Sequence, residues 1–331
     1  MIITRTPFRI SFFGGGTDYP QWFNEEEGAV LATTIDKYCY ISARYLPPFF
    51  EHKSRIIYSK TEHVHTIDEI DHPSVRETLR FLNIHDGVEI HHDGDLPART
   101  GLGSSSSFTV GLLRALYALI GKMPSKDKLT QEAIHIEQNM IGENVGCQDQ
   151  ALAAHGGFNF IQFGGDRHLH AERVTLSPTV MTDLQCHLML FFTGFSRNAS
   201  DIAAHQVKNI DKKKTDLKRM YAMTHEALDM LNNNDLLNFG HLLNESWQIK
   251  RTLSDKISTT YIDDIYDKAR RAGALGGKLL GAGGGGFVLL FVEPDKQELI
   301  RCALDGMLEV PFKFEQLGTQ VIFYQPDSGV V

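Results

Sequence analysis

The sequence predicts an α+β protein built as two closely packed domains. Strand-like runs of β-branched and aromatic residues near the start, a long helical stretch in the second half, and glycine clusters at the joints support that class. At 331 residues the chain exceeds the roughly 250 to 300 at which a single core stops growing, so a division is expected. The composition changes near residue 185, which divides the chain into 1–185 and 186–331. With 42% apolar and 22% charged residues, the chain can bury a core instead of staying disordered.

Each element follows from its pattern. Residues 2–13 and 30–46 carry β-branched and aromatic residues in partial alternation, as strands do, and Val88-Glu89-Ile90 forms another strand. Phe108, Leu112, Leu116 and Leu119 mark the buried stripe of a helix over 105–120. A second helix starts after Ser125 as N-cap and runs through Leu129, Ala133, Ile136 and Met140 to Gly142. Strands near 158–163 and 168–174 flank the turn Gly164-Gly165-Asp166, and 188–192 reads as a buried strand. From 198 to 272 the pattern is helical, with Lys-rich outer faces. Glycines at 281–286 interrupt it before a strand over 287–292, a helix over 295–308 and a strand over 321–324.

A formal charge of −8 argues against a broad basic surface, so neither nucleic acid nor an anionic membrane is an expected partner. Cys39, Cys147, Cys186 and Cys302 lie far apart without a CxxC pair, which suggests reduced thiols and no zinc framework. No apolar run is long enough to span a bilayer and the start lacks a signal-peptide pattern, so a cytoplasmic protein is expected. The oligomeric state, a homodimer included, is left open.

Three glycine-rich loops carry the chemistry. Pro97-Ala98-Arg99-Thr100-Gly101-Leu102-Gly103-Ser104-Ser105-Ser106-Ser107 lies between a strand and a helix, where glycines let backbone N–H groups approach an anion and the helix dipole favours it. A plain serine cap after a flexible turn is the simpler alternative, but four serines exceed what a cap needs. Gly281-Ala282-Gly283-Gly284-Gly285-Gly286 formally contains GxGxxG, yet it runs from helix to strand, the wrong context for a dinucleotide fingerprint. A packed wall against a ligand or against the other loop fits better. Gly14-Gly15-Gly16-Thr17-Asp18 places a short carboxylate and a hydroxyl at the mouth of a turn. Asp18 suits a pair of sugar hydroxyls or, more simply, caps the helix beginning near Pro20.

These three motifs, in this order, resemble those of the GHMP small-molecule kinases, whose founding members include galactokinase, homoserine kinase and mevalonate kinase. The resemblance implies a two-lobed fold, with an N-terminal lobe like the second domain of ribosomal protein S5 and a ferredoxin-like C-terminal lobe with added helices. It also implies an ATP-dependent kinase acting on a hydroxyl group, with Mg²⁺ as cofactor and a small sugar phosphate as acceptor. The Glu-His that precedes Thr-Asp in galactokinase is replaced here by Gly15-Gly16, which counts against galactose. Residues 11–20 and the run Thr193 to Ala199 are similar instead to the heptose-kinase and fucokinase branch, which phosphorylates an anomeric hydroxyl. D-glycero-D-manno-heptose 7-phosphate is the acceptor this implies. A fucokinase or other sugar 1-kinase, or a non-catalytic binding regulator, remains the alternative.

By the same resemblance Asp149 matches the catalytic aspartate and Arg9 the arginine beside it, a cation that would favour the ionised carboxylate. Pro97, Gly101, Leu102, Gly103 and Ser104 to Ser107 would hold the nucleotide phosphates. Gly15, Gly16, Thr17, Asp18, Arg197, Gly283 and Gly284 would hold the acceptor, and Ser105 with Glu137 the metal. Glu137 precedes Asp149 by twelve positions, one more than the family spacing. Taken alone, Asp149 reads equally as a helix cap, Glu137 as an exposed helix carboxylate and Arg197 as a solvated helix-start residue. Lys278 reads as exposed or ligand-facing.

Overall fold

The computed structural model describes residues 1–165, 169–194 and 199–326; Arg197, assigned above to the acceptor, lies outside them. The chain opens with β1 (Ile2–Phe13), a short helix α1 (Pro20–Phe23) and the long β2 (Gly28–Tyr45). A hairpin of β3 (Ser54–Ile57) and β4 (Thr61–Val64) leads to α2 (Pro73–Leu82) and β5 (Val88–Gly94). Next come α3 (Ser104–Leu119), α4 (Lys126–His135), a wide π turn over Ile136–Ile141 and α5 (Gln148–His155). β6 (Phe158–Phe163), β7 (Leu169–Arg173) and α6 (Pro178–Cys186) complete this half.

The chain then enters a second sheet at β8 (Leu188–Phe192). The helices α7 (Ala199–Lys208), α8 (Lys214–Asn232), α9 (Leu236–Lys250) and α10 (Thr260–Arg271) follow. After them come β9 (Gly276–Leu279), β10 (Phe287–Phe291), α11 (Gln297–Ala303), β11 (Leu308–Glu309), β12 (Phe314–Glu315) and β13 (Gln320–Tyr324).

Two sheets organise the molecule. The larger runs β13-β1-β2-β5-β3-β4, with β6 and β12 also pairing β2 and β7 pairing β6; the smaller is antiparallel, β11-β8-β10-β9. A division into consecutive blocks at residue 185 does not anticipate the last strands, which return to the first sheet. Gln320 and Val321 of β13 pair Arg5 and Thr4 of β1, and β12 pairs β2 at Ile35 and Thr34. The expected helix over 295–308 stops at Ala303, short of Gly306, whose φ of +82° no helix accommodates.

α3 is apolar nearly all round and is buried accordingly, packed against β1 and β2. It enters from Gly103 at φ +76°, a left-handed conformation that glycine adopts without steric cost. Ser125 caps α4 as expected, accepting from the Lys128 N–H. The helix does not run regularly to Gly142. It widens into the π turn, which ends at Gly142 in the left-handed conformation.

The lobes share one apolar core in which Phe12 and Phe13 of β1 meet Phe239 of α9 edge-on, ring centroids 5.8 and 5.1 Å apart. The lysines at 212–214 lie on the surface, where Lys213 pairs Asp216 and Lys214 pairs Glu25 and Asp211. Among the described residues no helix is long and apolar enough to cross a membrane.

Candidate active site

A cleft of about 890 Å³ lies where the three glycine loops meet. The second and third loops come together backbone to backbone at their glycines. A Cβ on Gly281 would stand 2.5 Å from Gly101 Cα, and one on Gly286 2.1 Å from the Thr100 carbonyl oxygen. No side chain fits there, so the expected packing of one loop on the other is the arrangement found.

Arg9, 5% exposed, reaches from β1 to the start of α5 and grips Asp149 with a two-pronged bond. Nε donates to Oδ1 and Nη2 to Oδ2, each at 2.7 Å. Its Nη1 donates to the Gly101 carbonyl at 2.6 Å, and its backbone N–H to that of Leu102 at 3.0 Å. Asp149 therefore does not cap α5, whose N-cap is Cys147. The second loop lies directly over the pair: a Cβ on Gly103 would be 3.3 Å from Asp149 Oδ2.

Asp18 is 2% exposed and accepts from the Gly16 N–H at 2.9 Å and from Gln148 Nε2 at 2.8 Å. Burial raises its pKa, the charge of Asp149 adds to the rise, and the two hydrogen bonds oppose it. It is not the cap of α1, which has Tyr19 there. Gly146 must be glycine, because a Cβ would fall 1.9 Å from Asp18 Oδ2.

Glu137 is fully buried, not exposed. It accepts from Ser106 Oγ at 2.9 Å and Gln150 Nε2 at 2.5 Å, and burial pushes its pKa up to about 7. Its Oε1 makes no hydrogen bond of good geometry, although the Thr109 hydroxyl also favours the charged form. Glu137 is not among the cleft-lining residues and meets the cleft wall through Ser106; with the serine hydroxyls at the helix start, its carboxylate has the chemistry of a site for a hard cation shared with phosphate oxygens. The serine brought to Glu137 is Ser106, not Ser105. Ser105 is exposed on the cleft, because successive helix residues face about 100° apart.

The other expected residues divide. Gly15, Gly16, Asp18, Gly101, Gly103 and Ser104 to Ser106 line the cleft. Pro97, Leu102, Ser107, Thr17, Gly283 and Gly284 are not among the lining residues, and each has a structural occupation. The Pro97 carbonyl accepts from Thr100 Oγ1, and that of Leu102 from Arg9. Ser107 Oγ donates to the Pro7 carbonyl, and Thr17 Oγ1 to those of Gly14 and Ala29. Gly283 and Gly284 pack on Ile257.

Two lysines complete the floor. Lys278 lies on the cleft but is 1% exposed, donating to the Phe12 carbonyl at 2.8 Å; burial, then Lys250, pulls its pKa well down. Lys250, which sequence reasoning missed, donates to the Gly281 carbonyl at 2.5 Å, and burial holds it at about 8. Its signal was the buried stripe Leu243, Ser246, Trp247 of α9, which continues onto Lys250 at helical spacing.

The GHMP kinases N terminal domain model matches residues 73–157, and the GHMP kinases C terminal model residues 225–309. The chain belongs to the GHMP kinase family. It is an ATP-dependent kinase with a hydroxyl acceptor. Among similar proteins, the D-glycero-alpha-D-manno-heptose 7-phosphate kinase of Campylobacter jejuni is 29% identical, over 89% of this chain and 91% of that one. The bifunctional fucokinase/GDP-fucose pyrophosphorylase of Arabidopsis thaliana is 24% identical over 93% of this chain but only 31% of its own length. A crystal structure of a D-glycero-D-manno-heptose 1-phosphate kinase from Bacteroides thetaiotaomicron superposes with a TM-score of 0.80 at 21% identity, covering 97% and 98% of the two chains, a likeness of fold.

Proposed function

We propose that this kinase transfers the γ-phosphate of ATP to the anomeric hydroxyl of D-glycero-D-manno-heptose 7-phosphate, giving the 1,7-bisphosphate. The observation that carries the mechanism is the Arg9–Asp149 fork lying against the glycine start of α3. It sets a carboxylate beside the place where a helix N-terminus receives phosphate, the juxtaposition that in-line phosphoryl transfer needs.

Asp149 takes the proton of the attacking hydroxyl, and Arg9 fixes its orientation and offsets charge that develops as the phosphoryl group moves. The open N–H groups of the first turn of α3 cradle the phosphates. Glu137, with the serine hydroxyls of that turn, would hold Mg²⁺, which when bound neutralises phosphate charge. Asp18 orients the sugar. The heptose acceptor is supported by the Campylobacter relative and by Gly15-Gly16. The plant relative keeps fucose as the second reading.

Purified protein with ATP and magnesium is expected to phosphorylate heptose 7-phosphate much faster than free fucose. The reverse order would overturn the acceptor assignment. Asp149→Asn should lower product formation by about 10³-fold while retaining nucleotide affinity, read by titration with a non-hydrolysable ATP analogue.

A further inference from the structure

Two polar side-chain atoms on the cleft wall, Ser11 Oγ and Gln148 Oε1, have no hydrogen-bond partner within the protein. Both residues are more than nine-tenths buried, at 6% and 8% exposure. An unmatched buried polar atom costs roughly 1–3 kcal/mol, so native proteins keep few of them without a use. The amide of Gln148 is oriented by its neighbour: Nε2 donates to Asp18 Oδ2, which leaves Oε1 as the atom without a partner.

Gly15 lies between the two residues. A Cβ built there would stand 3.7 Å from Gln148 Nε2 and 3.8 Å from Ser11 Oγ, ordinary contact distances, and its φ is not in the left-handed region. Neither backbone conformation nor packing within the protein requires glycine at this position. Room in the cleft is what a side chain would remove.

We propose that Ser11 Oγ and Gln148 Oε1 form a hydroxyl-reading subsite, with space kept by Gly15, that selects a polyol acceptor through a hydroxyl other than the one phosphorylated. An amide oxygen accepts, a serine hydroxyl both donates and accepts, and Asp18 accepts beside them, a set matched to sugar hydroxyls. Gln148 and Asp149 both line the cleft, so the subsite faces the molecule that Asp149 activates. The inference rests on the kinase reading for placing the acceptor at this end of the cleft.

The test is equilibrium titration of enzyme loaded with a non-hydrolysable ATP analogue and magnesium. The probes are heptose 7-phosphate, L-fucose and the monodeoxy forms of each. Ser11→Ala should weaken the better-binding sugar about ten-fold, the weight of one buried hydrogen bond. One monodeoxy form of that sugar should bind wild type and Ser11→Ala alike. Gly15→Ala should weaken sugar binding by more than about ten-fold while the affinity for the ATP analogue and the urea midpoint stay at wild-type values.

Equal weakening by Ser11→Ala of the parent sugar and all its monodeoxy forms, no weakening at all, or no sugar binding to wild type would each overturn the subsite. Turnover measured in parallel tests the kinase reading separately. Hydroxyl-selective binding without product sinks that reading and leaves the subsite standing, whereas product from an acceptor with a single hydroxyl, without sugar binding, does the opposite.

Discussion

Arg9 holds Asp149 through two nitrogens of one rigid plane and the Gly101 carbonyl through a third. Lysine carries one flexible ammonium and cannot make that fork. Arg9→Lys should therefore lower kcat by about 100-fold with little change in nucleotide affinity, which steady-state kinetics beside analogue titration will show. Lys250 permits a prediction in pH. Burial, then Arg9, lowers its pKa from 10.5 to about 8, while Asp18 and Asp149 oppose the shift. Between those values an unfolded chain holds a proton that the native protein has released, so this group makes stability rise with pH across the window. Below it both states are protonated and the cost of the buried charge is fully present. Lys250→Met lacks the rise. The stability of wild type relative to this variant should increase by on the order of 3 kcal/mol between pH 8 and 10.5, measured by urea unfolding at both ends.

Among the elements, the glycine loops are the most exacting. Gly281→Ala places a methyl 2.5 Å from Gly101 Cα at φ +74°. Left-handed strain and overpacking together should cost about 3 kcal/mol and raise the KM for ATP, because the second loop must move. Gly121→Ala, at φ +70° where the added methyl would meet nothing within 4 Å beyond its chain neighbours, should cost only about 1 kcal/mol and leave that KM unchanged. Urea unfolding and initial rates on both variants separate the two effects. The loops were legible because their glycines exceed what a turn needs. β1, α3, β6, β8 and β10 were legible from periodicity. The β3–β4 hairpin was not, since its four-residue strands carry charged and histidine side chains with no pattern of their own. Glu137 reads from sequence as a metal ligand or an exposed helix carboxylate, and the structure buries it. Its burial depends on the π turn in which it sits and on Ser106 and Gln150, partners supplied by two other helices. Ser11, Gln148 and Lys250 went unread for a similar reason: a polar side chain reveals its use only when the facing element is known.

For the whole molecule, the cleft exists only because the lobes are assembled together. Lys278 of β9 donates to Phe12 of β1, Gly281 seats on Gly101, and Phe239 of α9 closes over Phe12 and Phe13. The chain end reinforces this. β13 adds the outer strand to β1, Thr319 accepts or donates a bond to Thr6 at 2.8 Å, and the Thr319 N–H donates to the Ala153 carbonyl at 2.8 Å. A fragment of residues 1–185 would leave β1 as an open edge and expose the aromatic face that α9 covers, a surface prone to association instead of folding. We therefore expect that fragment to show no cooperative urea transition by near-ultraviolet circular dichroism. Adding the fragment 186–331 should restore one, together with binding of the ATP analogue. A sharp transition from 1–185 alone would mean that the first sheet is stable without its last two strands, and that the lobes meet as finished domains.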